Sequence, residues 1–313
     1  MNPCVTEFDT IVFPGQGAQR PGMGLDFVEA FPAARAVYAE VADAIEVDVI
    51  GACRDEALLA RTEYAQPCLL ACEIAQFRVL EAEVGLAPAR FGGHSLGEYS
   101  ALVAAGALPL ASAARILRAR GRLMQGAASD GGGMLAVTAA GLDHSRVLAI
   151  ATAAGIDVAS ENAPSQLVLS GNHAGLQRAR GLLQPLVRAG ARLVDLDVSA
   201  PFHSRCMHRV AAPLREQLVV ESRSWAPASA RRVTSNTLGG FHAGDLAALV
   251  YALVAQVALP VRWIENMRAL ATPGARFLEV GPGRPLSGFL RELGHAAESV
   301  VGARHVDRLR RRA

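Results

Sequence analysis

The chain has 313 residues, of which 51% are apolar and 19% charged, and its formal net charge is +2. This composition predicts a folded globular protein with a sizeable core and excludes a disordered chain. The nearly balanced charge argues against nucleic acid as the main partner.

Cysteine spacing and apolar runs narrow the class of protein further. The cysteines show no spacing typical of a metal site, and no apolar run is long and uninterrupted enough to span a membrane. We therefore expect free thiols, no metal, no membrane contact and a cytoplasmic location. The five cysteines are Cys4, Cys53, Cys68, Cys72 and Cys206.

The N-terminal part alternates a strand, a loop and helices. A β-branched apolar run at 10–13 predicts a buried strand, which Pro14 and Gly15 end. The Gly- and Gln-rich loop that follows can bring backbone N–H groups close to a ligand. Since no Lys-Ser/Thr comes after it, a nucleotide P-loop is not expected. Apolar spacing then predicts helices over 27–47, 55–59 and 68–85, with Pro67 in the first turn of the last.

Residues 93–97 read Gly-His-Ser-Leu-Gly, which is the G-x-S-x-G pattern of a nucleophile elbow. A serine at such a sharp turn exposes its hydroxyl, and the flanking glycines allow the strand and the helix to approach closely. The pattern alone fits an ordinary glycine-rich turn equally well. A predicted strand at 88–91 and a predicted helix at 98–105 favour Ser95 as a nucleophile, with the free N–H groups of the helix directed at the reacting oxygen.

The elements after the elbow fall into two groups. A helix over 112–127 carries four arginines, which by composition alone form a solvated face. From Gly133 a strand, a helix, two strands, a helix and a strand follow, an order typical of a separate four-stranded antiparallel sheet. Predicted elements lie at 134–137, 144–154, 156–160, 166–170, 174–189 and 191–198, and then at 207–221, 232–236, 245–258 and 276–280.

Residues 92–102, Gly-Gly-His-Ser-Leu-Gly-Glu-Tyr-Ser-Ala-Leu, resemble the active-site signature of the malonyl-CoA:acyl-carrier-protein acyltransferases. That family includes the fatty-acid enzyme and the acyltransferases of polyketide synthases. Further matches follow in the family's order from Phe13 to about Leu290. The resemblance implies an acyl-carrier-protein S-malonyltransferase that acts through an ester on Ser95. Its substrate is malonyl-CoA, its partner is an acyl carrier protein, and it needs no metal or redox cofactor.

The resemblance also implies an α/β fold in two parts. Residues 1–127 and 200–313 are expected to form a large α/β-hydrolase-like subdomain around a mostly parallel sheet. Residues 128–199 are expected to form an inserted ferredoxin-like subdomain. The substrate cleft is expected between the two parts.

Family roles carry over to the residues of the catalytic step. The sequence contains eight histidines, and sequence alone does not show which one approaches Ser95. The segment Pro-Phe-His-Ser at 201–204 resembles the general-base motif and so selects His203. By the same resemblance the backbone carbonyl of Gln256 orients His203, and the backbone N–H groups of Gln16 and Leu96 form an oxyanion hole.

The resemblance assigns further residues to the acyl group. Arg120, followed by Gly121, matches the arginine that holds the free carboxylate of the substrate, for which a planar guanidinium is suited. Gln66, Asn162 and His94 are placed at the acyl site, and Phe202 matches the malonyl-selecting version of the base motif. Without the resemblance, Gln66 is a polar helix residue and Asn162 a turn residue. Asn236 matches a family position of uncertain role.

Several alternatives remain open at this stage. A hydrolase on the same scaffold would clear acyl groups from carrier proteins and would not need Arg120. A non-catalytic docking module would lack a nucleophile or base, and an α/β-hydrolase thioesterase would share only the elbow. Because no further domain is visible, we expect the protein to act in trans, in fatty-acid or polyketide synthesis. The segment 201–204, with Phe202 before His203, favours polyketide synthesis. We also expect a monomer. Arg122, Arg205 and Arg209 are more plausibly ordinary surface charges than carrier contacts.

Overall fold

The computed structural model describes residues 8–127 and 131–312. Cys4 and the expected start of the inserted subdomain at residue 128 lie outside the described residues. The strands are β1 Thr10–Phe13, β2 Arg90–Gly93, β3 Gly133–Thr138, β4 Asp157–Ala163, β5 Gln166–Gly171, β6 Arg192–Leu196, β7 Thr234–Ser235, β8 Gly240–Phe241, β9 Phe277–Val280 and β10 Ala297–Val300.

Helices account for most of the remaining chain. The α-helices are α1 Leu25–Ala30, α2 Pro32–Ile45, α3 Val49–Arg54, α4 Glu56–Leu59, α5 Thr62–Val84, α6 Gly97–Ala104, α7 Leu110–Gly126, α8 His144–Ala154, α9 His173–Arg188, α10 His208–Glu221, α11 Leu246–Ala255, α12 Trp263–Leu270, α13 Pro285–Glu292 and α14 Arg304–Arg310. Short 3-10 turns lie at Arg205–Met207, Ser222–Ser224 and Pro227–Arg232. Within the described ranges, no helix combines the length and apolar character needed to cross a membrane.

A parallel sheet of order β10-β9-β1-β2 forms the centre of the larger part. Strands β1 and β9 are buried along their whole length, as expected for parallel strands covered by helices on both faces. Strand β1 pairs with β2 on one side and with β9 on the other, so the loops after these three strands leave the same edge. Such an edge is where open α/β sheets bind ligands.

A separate antiparallel sheet of order β4-β5-β3-β6 follows the elbow region in sequence. Its strands and helices α8 and α9 have the predicted β-α-β-β-α-β order and enclose a small apolar core of their own. An isolated bridge joins Ser160 of β4 to Val261, and the Glu161 N–H donates to the Val261 carbonyl at 3.0 Å. The fold therefore has a central parallel sheet and a second, antiparallel sheet, as the sequence predicts.

Three local predictions were wrong. The helix expected over 27–47 is broken at Phe31, because Pro32 starts a second helix at its first position. Helix α5 begins at Thr62 rather than 68, so Pro67 lies inside it instead of in its first turn. Asn162 is part of strand β4 rather than of the connecting turn, since the strand continues to Ala163.

Candidate active site

Ser95 stands at the turn between strand β2 and helix α6, with a backbone φ of +52°. Few non-glycine residues adopt this left-handed conformation, and they are concentrated at functional sites. A Cβ on Gly93 would lie 1.9 Å from the Gly97 carbonyl, and one on Gly97 would lie 2.3 Å from the Phe13 carbonyl. Both flanking positions therefore require glycine, as the elbow pattern predicts.

His203 is the histidine that the fold brings to Ser95. The serine Oγ lies 2.7 Å from His203 Nε2, although the two residues are 108 apart in sequence. On its other side, His203 Nδ1 lies 2.8 Å from the backbone carbonyl oxygen of Gln256 and 3.2 Å from that of Leu259. Since a carbonyl only accepts, Nδ1 carries the proton and Nε2 is free to accept the Ser95 hydroxyl proton.

The surroundings of His203 keep its imidazole neutral. The side chain is buried, and its backbone also has a positive φ, +55°. Burial, followed by the charge of Arg120 and the neighbouring His94, lowers the pKa of His203 to about 3, against the raising effect of the carbonyl hydrogen bonds. The nitrogen facing Ser95 is therefore unprotonated at neutral pH, the state that a general base requires.

Arg120 is a buried cation beside the nucleophile. Its side chain is 1% exposed, and its Nη2 donates to Gln256 Oε1 at 2.9 Å and to Ser95 Oγ at 3.3 Å. Among the described residues, Glu98, whose charge acts on Arg120, pairs with His242 instead, and the Nε of Arg120 has no hydrogen-bond partner. A buried guanidinium left in this state is suited to bind an incoming carboxylate. Burial lowers the pKa of Arg120, while Tyr99 and Glu98 act in the opposite direction.

Gln16 and Leu96 approach the nucleophile from two loops. Gln16 follows strand β1 and lines the cavity, and Leu96 is the residue before helix α6. In the described part of the chain neither backbone N–H has a hydrogen-bond acceptor. Two free donors at the carboxyl end of the sheet are the arrangement that an oxyanion hole needs.

The predicted acyl-site residues all line the same cavity, of about 560 Å³, which lies between the two sheets. His94 Nε2 is 2.8 Å from Asn162 Oδ1, so a hydrogen bond fixes these two side chains in the lining of the cavity. Gln66 is turned toward the oxyanion loop, where its Nε2 donates to Gln16 Oε1 at 3.4 Å. Phe202 is buried against the cavity directly before His203. Of the predicted site residues, only Leu96 and Gln256 do not line this cavity.

Two residues essential to the geometry had no assigned role in the sequence analysis. Asn236 accepts the Ser95 N–H at 2.7 Å and donates to the Gly93 carbonyl at 2.7 Å, which holds the elbow from outside. Glu98 is fully buried and accepts from Gln256 Nε2 at 2.7 Å. Glu98 directly follows the elbow pattern, but nothing local in the sequence connects it to residue 256. Within the described ranges, no cluster of His, Cys, Asp and Glu has the arrangement of a metal site.

The chain is similar to known proteins along nearly its whole length. The family described as acyl transferase domain matches residues 10–299. The malonyl CoA-acyl carrier protein transacylase of Escherichia coli (strain K12) is 35% identical over 298 residues, which cover 92% of this chain and 93% of that protein. The polyketide biosynthesis protein ThaF of Burkholderia thailandensis is 36% identical over 307 residues, which cover 93% of this chain but 25% of that longer protein.

A solved complex is similar over the whole fold. It is PlMCAT:AntF, a type II PKS acyl-carrier protein in complex with its malonyl-transacylase. The TM-score is 0.88 at 32% sequence identity, and the match covers 98% of this chain and 100% of that chain.

Proposed function

The chain belongs to the acyl transferase domain family, and from that premise we propose that it transfers a malonyl group from malonyl-CoA to the phosphopantetheine thiol of an acyl carrier protein. The observation that carries this proposal is the position of the buried Arg120, which has no carboxylate partner among the described residues, within 3.3 Å of the Ser95 hydroxyl. That hydroxyl itself lies 2.7 Å from a neutral His203. A nucleophile, a base and a carboxylate receptor thus meet at one point.

In the first half-reaction Ser95 becomes acylated. His203 Nε2 accepts the hydroxyl proton while Ser95 Oγ bonds to the thioester carbon. The developing oxyanion is received by the backbone N–H groups of Gln16 and Leu96, each of which contributes about 3 kcal/mol. The carbon–sulfur bond then breaks, His203 returns the proton to the departing sulfur, and coenzyme A leaves as its thiol.

The second half-reaction reverses these roles. His203 takes the proton from the phosphopantetheine thiol, and the sulfur attacks the malonyl ester on Ser95. The bond between Oγ and the acyl carbon breaks, and Ser95 regains its proton from His203. Each proton transfer is carried by a group of this chain or of its two substrates, so the proposed cycle calls on no metal or redox cofactor.

Arg120 selects the acyl group in this proposal. A malonyl chain bound through its ester carbon at Ser95 directs its free carboxylate toward the guanidinium, whose Nε has no partner in the described part of the chain. Acetyl groups offer no such charge, so they leave the buried cation unpaired. Phe202 narrows the cavity beside the ester and favours malonyl over α-branched groups.

The competing functions lack this support. An acyl hydrolase gains nothing from a buried arginine beside the ester, and a docking module does not require the 2.7 Å contact between Ser95 and His203. We also infer a cytoplasmic location, because the cysteines within the described residues, Cys53, Cys68, Cys72 and Cys206, are all free thiols.

Intact-mass spectrometry after mixing with malonyl-CoA tests the proposal. We expect a malonyl adduct that maps to Ser95, that persists for minutes and that disappears when holo acyl carrier protein is added, with malonyl appearing on the carrier. The variant Ser95→Ala is the control and should carry no adduct. An adduct that hydrolyses as fast as it forms, with no transfer to the carrier, would support the hydrolase and overturn the transferase.

A further inference from the structure

Glu98 and His242 form a buried pair that the proposed mechanism does not use. Glu98 is 0% exposed and His242 is 4% exposed, and Nε2 of the histidine lies 2.8 Å from Oε1 of the glutamate. A carboxylate removed from water is costly unless donors surround it. We therefore expect this pair, which lies directly behind the reacting groups, to have a structural role there.

The second oxygen of Glu98 accepts hydrogen bonds from two residues that are distant in sequence. Oε2 accepts from the backbone N–H of Asn236 at 3.0 Å and from Nε2 of Gln256 at 2.7 Å. Asn236 lies 138 residues from Glu98 in sequence and Gln256 lies 158 residues away. One carboxylate oxygen thus joins two distant loops to the first turn of helix α6.

Both of these loops hold the elbow. The Asn236 side chain accepts the Ser95 N–H and donates to the Gly93 carbonyl, each at 2.7 Å. The Gln256 side chain donates to the Ser95 carbonyl at 3.0 Å, and its backbone carbonyl orients His203. The backbone of Ser95 is therefore held at its N–H by one loop and at its carbonyl by the other. Its left-handed conformation persists only when the surroundings enforce it.

We propose that Glu98, fixed by His242, is the positioning residue that holds Ser95 and His203 at reacting distance through Asn236 and Gln256. Neither Glu98 nor His242 lines the cavity. The proposal rests on the proposed function for the reaction that it serves, but the positioning itself concerns the serine and the histidine alone.

Substitutions at Glu98 separate the acceptor from its charge. Glu98→Met removes both acceptor oxygens at similar volume. Glu98→Gln keeps one oxygen for Asn236 and Gln256 and turns its amide toward His242, where the tautomer with its proton on Nδ1 accepts that amide at Nε2. Glu73 is the matched control: it is also fully buried, on helix α5, and accepts from Ser100 rather than from the site. Burial raises the pKa of Glu73 well above its usual range, so we expect this position to accept an uncharged side chain.

Two reactions are measured for each variant. One is malonylation of Ser95, resolved into kcat and KM for malonyl-CoA. The other is sulfonylation of Ser95 by phenylmethylsulfonyl fluoride, followed by intact mass, which reports nucleophile geometry without using the acyl substrate. If the unmodified protein is sulfonylated but never malonylated, the proposed function fails, and the sulfonylation rates still test the positioning.

We expect Glu98→Met to slow both reactions about 100-fold with KM changed less than about threefold, as a displacement of about 1 Å at the reacting atoms does. Glu98→Gln should recover most of that loss, and Glu73→Met should react like the unmodified protein. Unchanged rates in Glu98→Met, equal losses in Glu98→Gln, or equal losses in Glu73→Met would each overturn the proposal.

A second site keeps the test decisive if Glu98→Met does not fold. His242→Leu removes the support of Oε1 and leaves the donors to Oε2 in place, so sulfonylation should slow about tenfold. His242→Gln restores a donor and should return the rate. Unchanged sulfonylation in folded His242→Leu contradicts the role given to His242.

Discussion

The Nδ1 atom of His203 lies 2.8 Å from the backbone carbonyl oxygen of Gln256. A carbonyl fixes the tautomer and the ring orientation as a carboxylate does, but it carries no charge to stabilise an imidazolium. Burial, followed by the charge of Arg120 and the neighbouring His94, lowers the pKa of His203 to about 3, although the hydrogen bonds to the carbonyls of Gln256 and Leu259 act in the opposite direction. The proposed base is therefore oriented without being made strongly basic.

This relationship predicts the pH dependence of acylation. A base whose pKa is lowered stays unprotonated above that pKa and is lost only as the pH falls through it. The kcat/KM for malonyl-CoA should therefore stay level from pH 8 to about pH 5, where an ordinary histidine of pKa about 6.5 is already protonated. Stopped-flow or quenched acylation across this range measures it. A fall centred near pH 6.5 would contradict the prediction.

Arg120→Ala should exchange the acyl preference of the site. Loss of a charge-assisted carboxylate contact costs about 3 kcal/mol, so kcat/KM for malonyl-CoA should fall about 100-fold while acetyl-CoA is affected much less. Arg120→Lys should fall between the two, because an ammonium cannot hold a carboxylate bidentately. Competition between malonyl-CoA and acetyl-CoA, read by intact mass, gives the ratio.

Arg122→Ala is the control for Arg120, since it lies on the same helix with its side chain 65% exposed. It should leave the ratio of malonyl to acetyl adducts unchanged. If Arg122→Ala shifts the ratio as much as Arg120→Ala does, the carboxylate is not received by Arg120.

The sequence proposes Ser95 from its flanking glycines, and His203 and Arg120 from short segments that resemble family motifs. The structure brings these three side chains together. The contact of Asn236 with Ser95 was not predicted, because it joins residues that are 141 apart in the chain. The sequence predicted that Gln66 lies at the acyl site, and Gln66 does line the cavity. The hydrogen bond from its amide nitrogen to Gln16 was not predicted, because a sequence motif does not specify the direction of a side chain.

The sequence also predicted some elements of the fold and missed others. The pattern of apolar residues located the buried strand β1 and the βαββαβ order, because helices and strands space their apolar residues differently. Periodicity alone did not find the break at Phe31, since apolar residues continue on both sides of Pro32. It also placed the start of helix α5 too late, where tertiary packing keeps Pro67 inside a helix that is buried along most of its length.

Phe202→Ser should widen the choice of acyl group. Phe202 lines the cavity directly before the base, so a smaller side chain opens room for an α-methyl group. We expect the ratio of methylmalonyl to malonyl adducts on Ser95 to rise about tenfold, the lower end of the range for one methylene group in an apolar pocket. Removing a buried aromatic ring should also lower the free energy of unfolding by about 3 kcal/mol. An unchanged ratio in the folded variant would show that another residue limits the pocket.

Two identical substitutions, Gly97→Ala and Gly181→Ala, should change stability with opposite signs. A Cβ on Gly97 would lie 2.3 Å from the Phe13 carbonyl oxygen and 2.5 Å from that of Pro14, both rigid backbone atoms. Gly181 is in helix α9 with nothing within 4 Å of its Cβ position. Urea denaturation should show Gly97→Ala destabilised by about 3 kcal/mol and Gly181→Ala stabilised by about 0.5–1 kcal/mol.

The same pair connects packing to chemistry. An alanine at position 97 would displace backbone atoms of Phe13 and Pro14, where the loop that carries Gln16 begins. Gly97→Ala should therefore slow malonylation of Ser95 by more than the unfolded fraction of the variant explains. Malonylation is measured well below the unfolding midpoint, so that every molecule is folded. Gly181→Ala should malonylate at the unmodified rate. If Gly97→Ala folds and reacts normally, the close approach of helix α6 to strand β1 is not what sets the geometry of the elbow.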